Sequence, residues 1–205
     1  MAMTIMIELN YQAVILAGGR GSRMDGRDKG LAEWRGRPLF RHMLAKLVQQ
    51  SRAPLRIAIS ANRNDQRYAE AGWPVLADRR DGFDGPLAGI ETALQACQAD
   101  WLLCLPCDTP QLPNNLAERL MNAASLGNAK AAYVTTAAGP QPACCLVHRS
   151  LLEPLAGYLD SGRRRVLDWL VTAAAVPVHF AEAADFNNFN TAADLAAGEP
   201  LPCSH

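Results

Sequence analysis

The chain has 205 residues, 49% of them hydrophobic and 20% charged, with twenty basic residues balanced by twenty acidic ones. A chain of this length removes about 70% of its extended surface from water on folding, so one core is possible without disulfides or metals, and this composition excludes collagen, disordered tails and small disulfide scaffolds. Zero net charge excludes a field pulling the whole molecule toward nucleic acid or an anionic membrane, and the longest strongly apolar run, Trp101 to Pro106, falls well short of the ~18 residues of a membrane helix.

No basic n-region or small-residue cleavage site precedes Tyr11, so a cytoplasmic protein is expected, with its six cysteines reduced. No linker or internal repeat divides the chain, which predicts a single domain over residues 1–205.

In chain order, Tyr11 to Ala17 reads as a buried strand that stops at Gly18-Gly19. A loop follows to about Gly36, and Pro38 opens a helix with Leu39, Phe40, Met43, Leu44, Leu47 and Val48 at helical spacing; His42 on it is expected to face solvent. Leu55 to Ser60 and Pro74 to Ala77 read as strands around a short helix at Gln66 to Ala71. Pro86 to Cys97 is a helix with Leu87, Ile90, Leu94 and Cys97 on one face, and Trp101 to Leu105 is a continuous apolar strand of the kind covered on both faces. Then come a helix over Pro113 to Leu126, strands at Ala131 to Thr136 and Ala143 to His148, helices at Leu151 to Leu159 and Val166 to Val171, a strand at Val176 to Phe180 and a short helix at Thr191 to Ala196. This alternation predicts a three-layer α/β fold with a mostly parallel sheet, whose ligands bind at the carboxyl ends of the strands.

Chemistry is therefore sought in the loops after Ala17, Ser60, Ala77 and Leu105. Seven basic residues lie between Arg20 and Arg41 (Arg20, Arg23, Arg27, Lys29, Arg35, Arg37, Arg41) against Asp25, Asp28 and Glu33. In the loop Leu16 to Gly30, glycines including Gly18, Gly19 and Gly21 let the backbone approach a ligand, and successive N–H groups can cradle a phosphate. Lys29 adds a point charge, worth ~4 kcal/mol against a unit charge about 4 Å away at an effective dielectric of about 20. The loop is neither a Walker A nor a dinucleotide fingerprint: Gly26 is followed by Arg27 and Asp28, and no helix starts at once. A flexible glycine loop with solvated arginines is the alternative.

Asp108, after the apolar strand, stands where a carboxylate can bind Mg²⁺ together with substrate phosphates; taken alone, a turn or cap before Pro110 is its simpler role. Cys104 and Cys107 form a CxxC, but Pro106, Pro110 and Pro113 keep the stretch extended, and Cys144 and Cys145 point to opposite faces of a strand, so small buried hydrophobes are favoured over a redox pair or zinc site. Arg163 to Arg165 are read either as a solvated helix start or as a second anion site, and Phe186 to Thr191 as a turn or as heterocycle-binding amides.

The combined pattern of Leu16 to Leu31, Asp78, Gly85 to Ile90, Pro106 to Pro110 and Asn188 to Thr191 resembles the molybdenum cofactor guanylyltransferases, from Val14 to about Leu195. That resemblance implies a Rossmann-like nucleotide-diphospho-sugar transferase fold and an activity joining GMP from GTP to molybdenum-loaded molybdopterin, with Mg²⁺ and release of pyrophosphate. It implies that Leu16, Ala17 and Gly18 line the GTP site, that Lys29 meets the phosphates with Arg23 as helper, that Asp78 belongs to the nucleotide site, and that Asp108 binds Mg²⁺. Ser60 stands where such proteins carry asparagine, with Asn62 two residues on. Asn188, Asn190 and Arg163 to Arg165 are the candidates for the pterin side. Molybdoenzymes or their chaperones are the expected recipients of the product, with no nucleic-acid or membrane partner. A nucleotidyltransferase using CTP or a sugar phosphate, a non-catalytic nucleotide or cofactor module, and a thiol oxidoreductase are the rival readings.

Overall fold

The computed structural model describes residues 10–18, 28–80, 85–189, 191 and 194–195. Its centre is a seven-stranded sheet in the order β5-β4-β1-β6-β8-β7-β9, built from β1 (Tyr11–Leu16), β4 (Ile57–Ser60), β5 (Val75–Leu76), β6 (Trp101–Pro106), β7 (Ala131–Thr136), β8 (Gly139–His148) and β9 (Val176–His179). β8 runs antiparallel to β6 and β7, and the other pairings are parallel. The expected α/β architecture and mostly parallel sheet are present.

Alternation along each strand feeds two cores. From β1, Tyr11, Ala13, Ile15 and Ala17 face α1 (Leu39–Val48) and α4 (Leu116–Leu126), which contribute Phe40, Met43, Leu47, Leu120 and Met121. Val14 and Leu16 face α3 (Pro86–Ala96), α5 (Leu152–Asp160) and α6 (Val166–Thr172), which contribute Ile90, Leu94, Leu155 and Trp169. Three layers result. The short α2 (Asp65–Ala69) adds Tyr68 to the first core.

Three local readings change. The loop before α1 contains a hairpin, β2 (Glu33–Trp34) with β3 (Arg37–Pro38), turned by Arg35 and Gly36, both at positive φ of 51° and 69°. His42, expected in solvent, is half-buried beneath that hairpin: its Nε2 donates to the Trp34 carbonyl at 2.8 Å, and its ring meets the indole edge-on at 4.8 Å. β8 starts four residues earlier than expected, at Gly139: Pro140 sits opposite Thr135 in the ladder, and Pro142 falls in the stretch where the pairing with β7 shifts register between Tyr133 and Val134. The last helix lies mostly outside the described residues. Its start is visible in a reciprocal cap, Thr191 N–H to Asp194 Oδ2 at 2.8 Å and Asp194 N–H to Thr191 Oγ1 at 3.2 Å.

Candidate functional site

Parallel pairing sets four strand ends in one row. Leu16 is in register with Ser60 and Pro106, and Ser60 with Leu76. The residues that follow are stitched the same way, Ala17 N–H to Ser60 carbonyl at 2.8 Å, Ala61 N–H to Leu76 carbonyl at 2.9 Å and Cys107 N–H to Leu16 carbonyl at 3.2 Å. Gly18, Asn62, Asp78 and Asp108 therefore emerge together at the carboxyl edge.

Lys29 and Asp108, 79 residues apart, form a hydrogen-bonded ion pair through Nζ and Oδ2. Asp108 is only 7% exposed, and its Oδ1 is buried without a hydrogen-bond partner among the described residues. A buried carboxylate oxygen left open beside a cation suits a hard divalent ion that takes its other ligands from phosphate and water. Among the described residues no cluster of three His, Cys, Asp or Glu side chains offers a protein-only cage. The residues present fit Mg²⁺ on Asp108.

Asp28 sets the start of the Lys29 turn. It caps the single 3-10 turn Lys29–Leu31, its Oδ1 accepting the Gly30 N–H at 3.2 Å. The same Oδ1 accepts the Tyr68 hydroxyl at 2.5 Å, and Oδ2 accepts Asn64 Nδ2 at 3.0 Å. At Asp78 a second polar pairing forms: Asn62 Nδ2 donates to Oδ2 and the Asp78 N–H donates to Asn62 Oδ1, both at 2.7 Å.

Ser60 is 2% exposed and packs against α3, its Oγ lying 2.5 Å from where a Cβ on Gly89 would sit. The open side chain of this strand end is thus Asn62, whose Nδ2 is also the nearest neighbour of Gly18. Arg80, two residues past Asp78, grips buried Glu91 of α3 with two hydrogen bonds, of 2.6 and 2.8 Å, and reaches Asp160 of α5 at 2.7 Å.

At the Asn-rich end, the Phe189 N–H donates to the Asp108 carbonyl at 2.9 Å, which brings exposed Asn188 next to the metal candidate's backbone. Gly19, Gly21, Arg23 and Asn190 lie outside the described residues. The basic triplet is engaged at the α5–α6 turn: Arg163 stacks over Tyr158 at 4.1 Å and donates to Ser161 Oγ, Arg164 donates to the Leu159 carbonyl at 2.6 Å, and Arg165 pairs with Asp168 at 3.4 Å. Cys104 and Cys107 belong to opposite cores, as do Cys144 and Cys145, and burial pushes the Cys104, Cys107 and Cys144 thiols well up. Neither pair can bridge or ligate together.

Sequence reasoning did not find Tyr68, Asn64 or Arg80. Asp28 offered a signal, since an aspartate before Lys-Gly in a loop is a natural cap.

The Lys29–Asp108 pair at the carboxyl edge of an α/β sheet accords with a nucleotidyltransferase, and the model of the MobA-like NTP transferase domain family matches residues 13–175. Molybdenum cofactor guanylyltransferases of Pasteurella multocida and Mannheimia succiniciproducens are 44% and 45% identical to this chain, over 91% and 94% of its length and 98% of their own. The chain belongs to the molybdenum cofactor guanylyltransferase family. Two solved structures share the fold. Molybdopterin-guanine dinucleotide biosynthesis protein A from Archaeoglobus fulgidus is 21% identical with a TM-score of 0.74, over 92% of this chain and 96% of that one. A CMP:2-keto-3-deoxy-manno-octonic acid synthetase complexed with CTP is 13% identical with a TM-score of 0.68, over 92% and 95%. No helix among the described residues is long and apolar enough to cross a membrane.

Proposed function

We propose that this protein transfers GMP from GTP to the terminal phosphate of molybdenum-loaded molybdopterin, releasing pyrophosphate. The observation that carries the reading is the Lys29–Asp108 pair at the strand edge, with one Asp108 oxygen open beside it. The backbone of Leu16, Ala17 and Gly18 lines the triphosphate, and Gly19, Gly21 and Arg23 are assigned to phosphate binding from the sequence alone. Asp78, held by Asn62, takes the nucleoside end, and Ser60 supports it from beneath rather than by direct contact. Asn188 is assigned to the pterin side, as is Asn190 from the sequence alone.

Transfer at the α-phosphorus needs position and charge neutralisation more than covalent help. A phosphate oxygen of molybdopterin attacks in line, the new P–O bond forms as the bond to the β-phosphate breaks, and pyrophosphate carries away the electron pair. The Lys29 ammonium, a compact charge with N–H donors, stands beside Asp108 to meet the phosphate oxygens. Mg²⁺ held by Asp108 supplies Lewis-acid charge for the phosphate oxygens. The product passes to molybdoenzymes or their chaperones in the cytoplasm.

The test is pyrophosphate release with GTP, Mg²⁺ and molybdenum-loaded molybdopterin, the dinucleotide being identified by mass. Lys29→Ala is expected to slow turnover ~10²–10³-fold, in line with loss of one charge-stabilising donor, and Asp108→Asn to abolish the response to Mg²⁺. Preference for CTP over GTP would overturn the substrate assignment, and parental turnover by Lys29→Ala would overturn the role of the lysine.

A further inference from the structure

We propose that Tyr68 is a positioning residue for the transfer reaction, acting on Lys29 through Asp28; this rests on the reading of Lys29 just given. Lys29 needs a fixed base, because its four-carbon stem is flexible and its turn is a single 3-10 turn. That base is a carboxylate with three donors. Gly30 N–H comes from the turn itself, while the Tyr68 hydroxyl and Asn64 Nδ2 both come from α2 and its cap, 40 and 36 residues away in sequence.

Both α2 donors show signs of being dedicated to this contact. Tyr68 has no exposed surface; its ring is wedged edge-on against Phe40 at 4.8 Å, and only the hydroxyl reaches Asp28. Burial and the hydrogen bond to Asp28 push its ionisation far above the usual phenol range, so it remains a donor throughout the working pH range. Asn64 occupies the N-cap of α2 at φ 55° and ψ 28°, yet its side chain makes no cap hydrogen bond and spends its amide on Asp28 instead. Asparagine tolerates the left-handed region, and here its amide is turned to Asp28 rather than to its own helix.

Approach is also close. A Cβ on Gly30 would lie 2.4 Å from the Tyr68 hydroxyl oxygen, so the turn and the ring are in direct contact through the glycine. The path from α2 to the strand edge is thus Tyr68 and Asn64 to Asp28, then one residue to Lys29, then Asp108. Losing an anchor in such a path shifts the lysine by a fraction of its stem length, and misplacement of about 1 Å in a reacting constellation can cost ~10²-fold.

The test compares Tyr68→Phe, Asn64→Gly and Lys29→Ala, singly and combined, in the GTP reaction. Tyr68→Phe keeps the ring and removes one donor; kcat is expected to fall about 10–100-fold while KM for GTP moves less than about threefold. Asn64→Gly suits the left-handed backbone, so its thermal midpoint is expected to hold or rise while kcat still falls several-fold. In the Lys29→Ala background, Tyr68→Phe should change kcat by less than about twofold, because residues acting through one group are non-additive. Additive losses, or a Tyr68→Phe enzyme at parental kcat beside a slowed Lys29→Ala enzyme, overturn the relay alone. A Lys29→Ala enzyme at parental kcat overturns the lysine assignment and the relay with it.

Discussion

Arg80→Leu removes the cation from a carboxylate that is 4% exposed and leaves Glu91 buried in α3 without its two guanidinium hydrogen bonds, of 2.6 and 2.8 Å. Breaking a buried pair from one side costs about 3–5 kcal/mol. The lower end applies here, since 23% of the Arg80 side chain is accessible and water can enter behind the leucine. Asp160, at 68% exposure, adds little because exposed ion pairs contribute ~0–1 kcal/mol. A loss of about 3 kcal/mol lowers the midpoint of a domain this size by about 6–12 °C. Adding Glu91→Leu removes the stranded charge and fills the same space with apolar groups, so the double variant should regain most of the loss. Thermal unfolding by circular dichroism at neutral pH reads both. A midpoint within about 2 °C of the parent for Arg80→Leu, or a double variant no more stable than the single, would refute the reasoning.

Gly30→Ala drives a Cβ to within 2.4 Å of the Tyr68 hydroxyl and is expected to cost about 1–3 kcal/mol in denaturant unfolding; the added cost should shrink in a Tyr68→Phe background, where the oxygen is gone, and an unchanged cost would place the conflict elsewhere. Cys97, Cys104, Cys107, Cys144 and Cys145 are buried free thiols and should resist a thiol reagent in native protein at pH 8 and react once unfolded; rapid native labelling of any of the five, mapped by mass spectrometry, would contradict their burial. His148 is held below the usual imidazole range by burial and then by Lys130, and its Nδ1 accepts the Ser150 N–H at 3.2 Å. Its folded pKa is the lower one, so this contribution is present above about 6.5, the unfolded value, and is lost as pH falls through the folded value; His148→Gln should flatten that part of the stability profile, and an unchanged slope would exclude His148 as its source.

The sheet was legible because its strands carry their own signal. Tyr11 to Leu16, apolar but for Gln12, and Trp101 to Pro106 are near-continuous apolar runs of the kind a strand covered by helices on each side requires. The ends of elements were less so. Pro140 and Pro142 argue against a strand by local rules, yet Pro142 falls in the register shift beside Tyr133, a place that only the partner strand defines. The hairpin at Trp34 to Arg37 was hidden because Arg35 adopts positive φ without being glycine or asparagine, with its guanidinium 4.4 Å over the Trp34 ring. His42 followed from that omission, since the carbonyl and the indole it meets both belong to the hairpin.

At the candidate site, type and position alone singled out Lys29, after a glycine-rich stretch, and Asp108, after an apolar strand, and the structure brings these two into one ion pair. What sequence could not supply is which groups hold them. Tyr68 sits in a polar stretch, Asp65 to Ala71, where nothing distinguishes a buried donor from a surface aromatic; its role appears only once β4 and α2 fold back to lay the ring on Phe40 and the hydroxyl on Asp28. Arg80 likewise reads as one more charge beside Arg79 until α3 brings Glu91 under it. Tyr68 takes hold of the segment just before Lys29, and Arg80 anchors its own segment just after Asp78 to α3. The strand-edge segments are thereby tied to helices on opposite faces of the sheet, Lys29 through α2 and Asp78 through α3. Loosening Tyr68 should therefore disturb phosphate transfer without touching the nucleoside end, and loosening Arg80 should do the reverse, a separation that tying both loops to one helix would not allow.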